Sequence, residues 1–348
     1  MRIAFVTVGD TARKVGGHLY NARVLAGLRA RGVEVEEIVA SAEYVGDQRA
    51  ASPALGERLL PEEFDVISVD ALARAACAPH LDRWRVRAPV VAMVHELPSV
   101  AESDDTERPL EDPLLRADRL VCVSRHGASI LEARGVPPGR VHVVPPGLDR
   151  PPSLAPDIGG DDPLRVLCVA QWIPRKGIAR LVEAWGMLRD REPGLDAVLE
   201  LVGETGADPD YAARVYESIA GAEDIVVRGP VGEPELRRAY ATASAFALPS
   251  FYEGYGMVYA EAMSYGLPVV ALSTGPVPDL VGEAGLLVEP GDARGLANAL
   301  QDLLTDAALR QRLSEAALLR AGGLPGWEDA VDGFLAALEA AVSEKVRR

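Results

Sequence analysis

The sequence contains few cysteines and no long apolar run. Cys77, Cys122 and Cys168 lie in separate apolar segments, without the spacing of a disulfide framework or a metal site. No uninterrupted apolar stretch reaches the roughly 20 residues that a membrane-spanning helix requires. The N-terminal segment MRIAFVTVGD is typical of a β-strand and lacks the apolar core and cleavage site of a signal peptide. We therefore expect a cytoplasmic protein with reduced cysteines.

Lysine and net positive charge are also scarce. Three of the 36 basic residues are lysines, and the net charge of the chain is −16. Residues 1–150 carry 19 basic and 22 acidic side chains, whereas the remaining residues carry 17 and 30. The acidity of the second half argues against general nucleic-acid binding there, because it would repel phosphates. The nearly neutral first half leaves open a peripheral contact with the inner face of a membrane.

Strand-like and helix-like segments alternate along the chain, which is typical of parallel sheets with crossover helices. The pattern predicts two doubly wound, Rossmann-like α/β domains facing a central cleft, at residues 1–150 and 164–326. The segment between them, 151–163, is rich in Pro, Gly and Asp and is predicted to be a linker. Residues 327–348 are predicted to form a C-terminal amphipathic helix. The acidic, proline-rich segment 96–117 is predicted to be mostly loop.

Two glycines, Gly16 and Gly17, directly precede the first predicted helix. Backbone N–H groups at a helix N-terminus can bind an anion. The surrounding sequence VTVGDTARKVGGHLY matches neither the G-x-G-x-x-G fingerprint nor a P-loop. An ordinary turn at the start of a helix is the alternative, and these residues do not decide between the two.

Arg175 and Lys176 lie in a second turn, between a predicted strand and a helix that follows Gly177. Two cations at a helix N-terminus are repelled by the positive end of the helix dipole. A diphosphate bound between them would remove this repulsion. The alternative is a solvated turn, and the adjacent charges favour the phosphate site.

The stretch FYEGYGMVYAEAM combines a turn with two carboxylates. The N–H groups of Gly254, Tyr255, Gly256 and Met257 are predicted to form an anion-binding helix N-terminus. Glu253 precedes them in the turn and is suited to bind the hydroxyl groups of a neutral polyol.

Glu261 lies within the predicted helix, among apolar residues. Helical side chains lean toward the N-terminus of their helix, so its carboxylate is expected to reach the same ligand and to accept two hydrogen bonds from vicinal hydroxyls. The alternative is an ion pair with a buried arginine, because an unpaired buried carboxylate is costly.

His95 ends a predicted buried strand at the mouth of the expected cleft. It is a candidate catalytic residue, and the alternative is a structural, hydrogen-bonded histidine at a strand end. The histidines show no metal-ligand spacing, and local spacing assembles no Ser-His-Asp or Cys-His arrangement. The segment 208–210, DPD, is predicted to cap a helix rather than to bind a metal.

Several segments, taken in order, resemble one known family. The chain is similar to the retaining glycosyltransferases of family 4, which have the two-domain GT-B fold. The segments that carry the resemblance are GGHLYNARVLAGL, VHELP, VVPPGLD, QWIPRKGI, VVRGPVGEPELRRAYATASAFALPS, YEGYGMVYAEAM with its E-x7-E spacing, GLPVVA and GPVPDLVGEAGLLVEPGD. The resemblance implies that the C-terminal helix packs back on the N-terminal domain.

The resemblance also implies roles for the candidate residues of the second domain. Arg175 and Lys176 would hold the diphosphate of a nucleotide-sugar, and Glu261 would bind the ribose. Glu253 would hold the sugar, together with the backbone of residues 254–257.

Further implied contacts come from other turns. Gly16 and Gly17 would contact the phosphate, and His95 would contact the sugar near the reacting centre. The backbone around Val231, with Gly203 nearby, would border the base.

The implied reaction is transfer of a sugar from a UDP-, GDP- or ADP-sugar to an acceptor hydroxyl, with retention of anomeric configuration. Such a hexosyltransferase would require no cofactor and no metal. The acceptor, whether a glycan, a lipid or a small molecule, is not indicated. A sugar-nucleotide epimerase of the same fold and a catalytically silent nucleotide-sugar-binding protein are the alternatives. A nicotinamide-dependent oxidoreductase would need a glycine fingerprint that this sequence lacks.

Overall fold

The computed structural model describes residues 1–11, 15–151 and 163–347. The chain divides into an N-terminal unit, formed by Met1–Gly147 and Pro325–Arg348, and a C-terminal unit, Leu148–Leu324. Apart from its two end residues, the predicted linker 151–163 lies outside the described residues.

A parallel six-stranded sheet forms the centre of the N-terminal unit in the part of the chain that the structure describes. Its strands are β1 (Arg2–Thr7), β2 (Glu34–Val39), β3 (Val66–Asp70), β4 (Val90–Val94), β5 (Arg119–Cys122) and β6 (Val141–Val143). The strand order is β2-β1-β3-β4-β5-β6, so the direction of winding reverses between β1 and β3. Strands β3 and β4 are buried along their whole length, which explains their nearly continuous apolar sequences.

Helices connect these strands. They are α1 (Gly16–Ala30), α2 (Val45–Arg58), α3 (Arg74–Cys77), α4 (Leu81–Arg87), α5 (Pro98–Ala101), α6 (Arg108–Leu115) and α7 (Arg125–Ala133). No helix in the described part of the chain is long and apolar enough to cross a bilayer.

The prediction that residues 96–117 are mostly loop is wrong, because α5, α6 and a short 3-10 turn occupy most of this segment. Within this segment Glu111 is fully buried. The Glu111 carboxylate accepts hydrogen bonds from the Ser99 backbone N–H at 2.8 Å and from Arg134 at 2.9 Å. The segment is held by this buried polar network together with the core packing of Leu114 and Leu115.

The C-terminal unit contains a second parallel six-stranded sheet, counted over the residues that the structure describes. Its strands are β7 (Leu164–Val169), β8 (Ala197–Val202), β9 (Ile225–Gly229), β10 (Ala245–Leu248), β11 (Val269–Leu272) and β12 (Gly285–Val288). The strand order β12-β11-β10-β7-β8-β9 places the reversal between β7 and β10. The two doubly wound α/β folds predicted from the sequence are thereby confirmed.

The helices of this unit flank its sheet. They are α8 (Ile178–Arg191), α9 (Pro209–Ser218), α10 (Glu233–Thr242), α11 (Met257–Ser264), α12 (Val277–Val281), α13 (Ala293–Thr305) and α14 (Ala307–Gly322). The last helix, α15 (Trp327–Arg347), packs within the N-terminal unit and buries Phe334 and Leu338.

Candidate active site

Two strand-to-helix turns of the C-terminal unit lie side by side. Strands β7 and β10 are hydrogen-bonded neighbours, so the turns that follow them meet at the carboxyl edge of the sheet. The Phe251 backbone N–H donates to the Arg175 carbonyl oxygen at 2.8 Å, and the Arg175 guanidinium donates to the Tyr252 carbonyl oxygen at 2.8 Å. Ligands of doubly wound sheets bind outside the carboxyl ends of the strands, at the point where the strand order reverses. The paired turns occupy that position.

Gly177 allows the two turns to approach each other. It precedes α8 with φ of 70°, in the left-handed region that favours glycine. A Cβ atom at this position would lie 2.2 Å from the Pro249 carbonyl oxygen. The glycine is therefore required by both its backbone conformation and its surroundings.

Lys176 and Glu253 form an ion pair between the turns. The Lys176 ammonium donates to Glu253 Oε1 at 2.7 Å, and the two side chains are only 15% and 9% exposed. Burial alone would raise the pKa of Glu253, but the charges of Lys176 and Arg175, with hydrogen bonds from Lys176 and Ser250, outweigh burial and lower it. Glu253 is therefore an ionised carboxylate that already has a cationic partner.

Helix α11 begins beside this ion pair. Gly256 precedes it with φ of 97°, and a Cβ atom there would lie 2.6 Å from the Tyr259 ring. Gly256 is the N-cap residue and has no side chain that could cap this end of the helix. The first N–H groups of a helix have no partner within the helix. Met257 begins the helix, and Gly254 and Tyr255 form the turn before it, so the N-terminus has the backbone geometry of an anion site.

Glu261 has a tyrosine partner rather than the arginine of the alternative interpretation. The hydroxyl group of Tyr240 donates to Glu261 Oε2 at 2.9 Å. Burial raises the pKa of Glu261 to about 7. The hydrogen bond from Tyr240 acts in the opposite direction and lowers the pKa, whereas the negative charge of Asp149 raises it further. The carboxylate is thus held by one neutral donor, and its charge is not balanced by that partner.

Gly203 and Val231 follow two neighbouring strands of the same sheet, β8 and β9. The Gly203 backbone N–H donates to the Gly229 carbonyl oxygen at 2.9 Å, and a Cβ atom on Gly203 would lie 1.9 Å from the Ala170 carbonyl oxygen. Val231 is partly buried against the hydrophobic core. Both residues lie at the carboxyl edge of the sheet, where the predicted base contact would be made.

Gly16, Gly17 and His95 belong to the N-terminal unit. Gly16 begins α1, and the N-cap residue Val15 forms no side-chain hydrogen bond to the helix. A Cβ atom on Gly17 would lie 3.3 Å from His95 Cδ2, so the start of α1 and the end of β4 are in close contact. The structure brings these three predicted residues together at the carboxyl edge of the first sheet.

His95 is the outermost member of a polar cluster with Thr7, Asn21 and Asp70. His95 Nε2 lies 3.0 Å from Asn21 Oδ1, and the Asn21 amide donates to Asp70 Oδ2 at 2.6 Å. Thr7 donates to the same carboxylate oxygen at 3.0 Å. Burial lowers the pKa of His95, against the opposing charges of Asp70 and Glu96.

Tyr240, Asn21 and Asp70 were not predicted from the sequence as site residues. Asp70 ends the apolar run FDVISVD, and a carboxylate at the end of a buried strand was a detectable signal. Tyr240 and Asn21 lie within ordinary amphipathic helices, where nothing in the local pattern distinguishes them.

The residues that the structure describes contain no group of three or more His, Cys, Asp or Glu side chains that could hold a metal ion. Arg175 and Lys176 bring two cationic side chains to the turn beside the start of α11.

Comparison with known families gives two matches that together span most of the chain. The model of Glycosyltransferase Family 4 matches residues 16–150, and that of Glycosyl transferases group 1 matches residues 163–306.

Curated relatives that match the chain are named as glycosyltransferases. D-inositol 3-phosphate glycosyltransferase 1 of Catenulispora acidiphila is 30% identical over 345 residues, which cover 89% of this chain and 82% of that protein. The D-inositol 3-phosphate glycosyltransferase of Pseudarthrobacter chlorophenolicus is 33% identical over 243 residues, or 66% of this chain and 57% of that protein. A relative from Arthrobacter sp. is matched over 51% of its length, so the chain spans only about half of some relatives.

Solved structures show the same fold. Sucrose-phosphate synthase of Thermosynechococcus elongatus superposes with a TM-score of 0.82 at 23% identity, over 99% of both chains. Anabaena Alr3699/HepE, in complex with UDP and glucose, superposes with a TM-score of 0.78 at 20% identity, over 98% of this chain and 100% of that one. At these identities the likeness concerns the fold alone, and that fold is GT-B.

Proposed function

Because the chain belongs to glycosyltransferase family 4, we propose that it is a retaining hexosyltransferase that moves a sugar from a nucleotide-diphosphate-sugar to an acceptor hydroxyl. The observation that carries the proposal is the ion pair of Lys176 and Glu253 beside the N-terminus of α11, where the N-cap residue Gly256 supplies no side-chain cap. A cation, a carboxylate and a row of backbone N–H groups there suit a ligand with both phosphate and hydroxyl groups.

The diphosphate would bind between the cationic turn and the start of α11. Arg175 and Lys176 supply positive charge, and the N–H groups around Gly256 and Met257 supply donors. Negative charge develops on the diphosphate as the bond to the sugar breaks, and prearranged donors stabilise that charge in the transition state. This arrangement would stabilise the charge on the departing diphosphate without a metal ion.

The ribose would bind at Glu261. Its Oε2 atom is held by Tyr240, which leaves Oε1 and the second lone pair of Oε2 to accept hydrogen bonds from vicinal hydroxyls. Gly203 and the backbone near Val231 would border the base.

Glu253 would position the transferred sugar rather than attack it. Its Oε1 atom already accepts a hydrogen bond from the Lys176 ammonium, so that oxygen is engaged by a cation rather than free to attack the sugar. His95 would contact the sugar from the N-terminal unit, with Gly16 and Gly17 near the phosphate. We propose that an oxygen of the departing phosphate accepts the proton of the acceptor hydroxyl.

Two sets of comparisons guide the choice of substrates. The Anabaena protein of the same fold is solved with UDP and glucose and with UDP-glucose, so a UDP-sugar is the first donor to test. The curated relatives are D-inositol 3-phosphate glycosyltransferases, so an inositol phosphate is the first acceptor to test.

Titration of the purified protein with UDP-, GDP- and ADP-sugars tests the proposal. We expect saturable binding of one donor, slow hydrolysis that releases the nucleoside diphosphate, and faster release when an acceptor is added. Release of an epimerised sugar without transfer would favour a sugar-nucleotide epimerase. Binding without any turnover across an acceptor panel would favour a silent binding protein, and absence of binding to every nucleotide-sugar would contradict the proposal.

A further inference from the structure

Four polar side chains meet at the carboxyl edge of the N-terminal sheet. Thr7 ends β1, Asp70 ends β3, His95 follows β4, and Asn21 lies on the first turns of α1. We call these residues the Asp70 cluster. Three of them are almost fully buried, with Thr7 1%, Asn21 6% and Asp70 0% exposed, whereas His95 is partly exposed. The cluster therefore runs from the interior of the unit to its surface.

The hydrogen bonds of Asp70 fix the orientation of Asn21. An ionised carboxylate only accepts hydrogen bonds. Asp70 Oδ1 accepts from the Leu72 backbone N–H at 2.9 Å, and Oδ2 accepts from Thr7 at 3.0 Å and from Asn21 at 2.6 Å. The atom of the Asn21 amide that faces Asp70 must therefore be Nδ2, because the oxygen has no proton to donate.

The orientation of Asn21 in turn selects the tautomer of His95. With Nδ2 directed to Asp70, the Asn21 Oδ1 atom faces His95 Nε2 at 3.0 Å. An amide oxygen accepts and does not donate, so the Nε2 atom must carry the proton. In a neutral imidazole the other nitrogen, Nδ1, then has a lone pair that accepts a hydrogen bond.

Packing holds the imidazole ring in this position. Tyr20 meets the ring edge-on, with centroids 5.3 Å apart and an interplanar angle of 82°. Gly17 lies against the Cδ2 and Nε2 side of the ring, where a Cβ atom would be 3.3 Å from Cδ2. The ring is thus fixed by apolar contacts as well as by the hydrogen bond to Asn21.

We propose that Asn21 and Asp70 are positioning residues that hold His95 as its Nε2–H tautomer, so that Nδ1 accepts a hydrogen bond from a sugar hydroxyl. The tautomer follows from this cluster alone, whereas the sugar contact rests on the proposed function.

The charges around His95 are consistent with a neutral ring. Burial lowers its pKa, the carboxylates of Asp70 and Glu96 oppose that effect, and the imidazole of His18 adds to it. His18 itself lies 3.2 Å from Glu43. A neutral ring at physiological pH retains the lone pair that the proposed contact needs.

Asp70→Asn is the most informative variant. The oxygen of the new amide would take the place of Asp70 Oδ1 and accept the hydrogen bond from the Leu72 N–H. The amide nitrogen would then take the place of Asp70 Oδ2, which faces Asn21 in the native protein. The Asn21 amide would then turn over to present its oxygen to that donor and its own Nδ2 to His95. The proton of His95 would move from Nε2 to Nδ1, so the variant is expected to reverse the tautomer.

The tautomer can be read directly from the full-length protein labelled with ¹⁵N-histidine. Long-range ¹H–¹⁵N correlation spectra distinguish the protonated from the bare ring nitrogen, and His95→Gln identifies the signals of His95. We expect a protonated Nε2 in the native protein and in Thr7→Val, which removes one donor to Asp70 but leaves the Asn21 amide in place. We expect the reversed pattern in Asp70→Asn and a mixture in Asn21→Ala.

Two spectroscopic results would overturn the inference. One is a protonated Nδ1 in the native protein, a test that needs no variant to fold. The other is an unchanged tautomer in a folded Asp70→Asn protein.

Kinetics test the sugar contact. For donor hydrolysis we expect Asp70→Asn and Asn21→Ala to lower kcat about tenfold, with little change in the KM of the donor. A tenfold loss corresponds to the free energy of about one hydrogen bond in the transition state. Thr7→Val is expected to retain kcat. A reversed tautomer with unchanged kcat would refute the contact between Nδ1 and the sugar. If no nucleotide-sugar binds the native protein, the proposed function fails, while the spectra still decide the tautomer.

Discussion

Lys176 and Glu253 form a hydrogen-bonded ion pair at 2.7 Å across a sequence separation of 77 residues. The family resemblance gives these residues separate tasks, with Lys176 on the diphosphate and Glu253 on the sugar. In the structure they satisfy each other, so the buried charges are balanced before a ligand binds. Donor binding would therefore add a phosphate to an existing pair rather than fill a site of uncompensated charge.

This pairing predicts strong coupling between the two positions. Lys176→Met and Glu253→Gln should each destabilise the C-terminal unit, because removal of one partner leaves a buried charge, at a cost of about 3–5 kcal/mol. The double variant should lose less than the sum of the two single losses. Chemical denaturation of all four proteins measures the coupling energy.

Arg180 and Glu183 supply the control for that cycle. They form an exposed ion pair at 2.7 Å on α8, with side chains 57% and 42% exposed. Exposed pairs contribute at most about 1 kcal/mol, so Arg180→Gln should have little effect. Additive losses at Lys176 and Glu253 would contradict the buried pair.

A second prediction concerns the approach of the two turns. Gly177→Ala places a Cβ atom 2.2 Å from the Pro249 carbonyl oxygen and forces alanine to adopt φ of 70°. The backbone strain alone costs about 1–2 kcal/mol, and the clash should separate the turns. We expect a lower melting temperature and weaker binding of the nucleotide-sugar.

The same helix offers a matched control. Gly186 lies on the exposed side of α8, and in the described part of the chain no atom outside the neighbouring backbone of this helix lies within 4 Å of the position that a Cβ atom would take there. Gly186→Ala should stabilise the protein by about 0.5–1 kcal/mol, since alanine favours a helix interior. Donor titration should give the native affinity for this variant. If Gly177→Ala and Gly186→Ala changed the melting temperature and the donor affinity equally, the clash at Gly177 would contribute neither to stability nor to binding.

The elements of the candidate site were predictable because their signals are local. The strand, turn and helix around FYEGYGMVYAEAM follow from an apolar run, two glycines and a helical pattern, and the observed helix is Met257–Ser264. The adjacent cations of Arg175 and Lys176 were visible for the same reason.

The partners of these residues were not predictable, since they are distant in sequence. Tyr240 lies 21 residues from Glu261, and Asn21 lies 49 residues from Asp70. Only the order of strands in each sheet brings such residues together. Glu111 illustrates the same limit, because its partner Arg134 lies 23 residues away, outside the segment whose composition indicated a loop.

Metal removal provides a third prediction. The charges proposed to stabilise the departing diphosphate are those of Arg175 and Lys176 and of the N-terminus of α11. Treatment with EDTA should therefore leave the transfer rate unchanged. The rate is measured before and after chelation, and again after readdition of Mg²⁺ or Mn²⁺. Loss of activity on chelation, with recovery on readdition, would contradict the metal-independent mechanism.

The last prediction concerns Glu261, whose pKa burial raises from 4.5 to about 7. Between these values the folded protein retains a proton that the unfolded chain releases, so stability falls as pH rises through this window. The loss is complete above the folded pKa and amounts to at most about 3 kcal/mol.

Glu261→Gln removes this titration and keeps an oxygen that accepts the Tyr240 hydrogen bond. The variant should melt at a higher temperature than the native protein near pH 8 and at a similar temperature near pH 4.5, where the native carboxyl is protonated. It should also bind the donor more weakly, because an amide offers the ribose hydroxyls one acceptor oxygen instead of two.

Glu253→Gln is the control of opposite sign. The pKa of Glu253 is lowered, so its charge contributes stability that is present above the unfolded pKa and is lost as pH falls through the folded pKa. This variant should therefore be less stable than the native protein near pH 8, and the difference should shrink toward acid. Melting curves across this pH range compare the two substitutions in one experiment.

If Glu261→Gln destabilised the protein near pH 8, the carboxylate would be stabilised by its surroundings in the absence of ligand. Such a result would remove the reason to regard Glu261 as a charge held in place for a ligand.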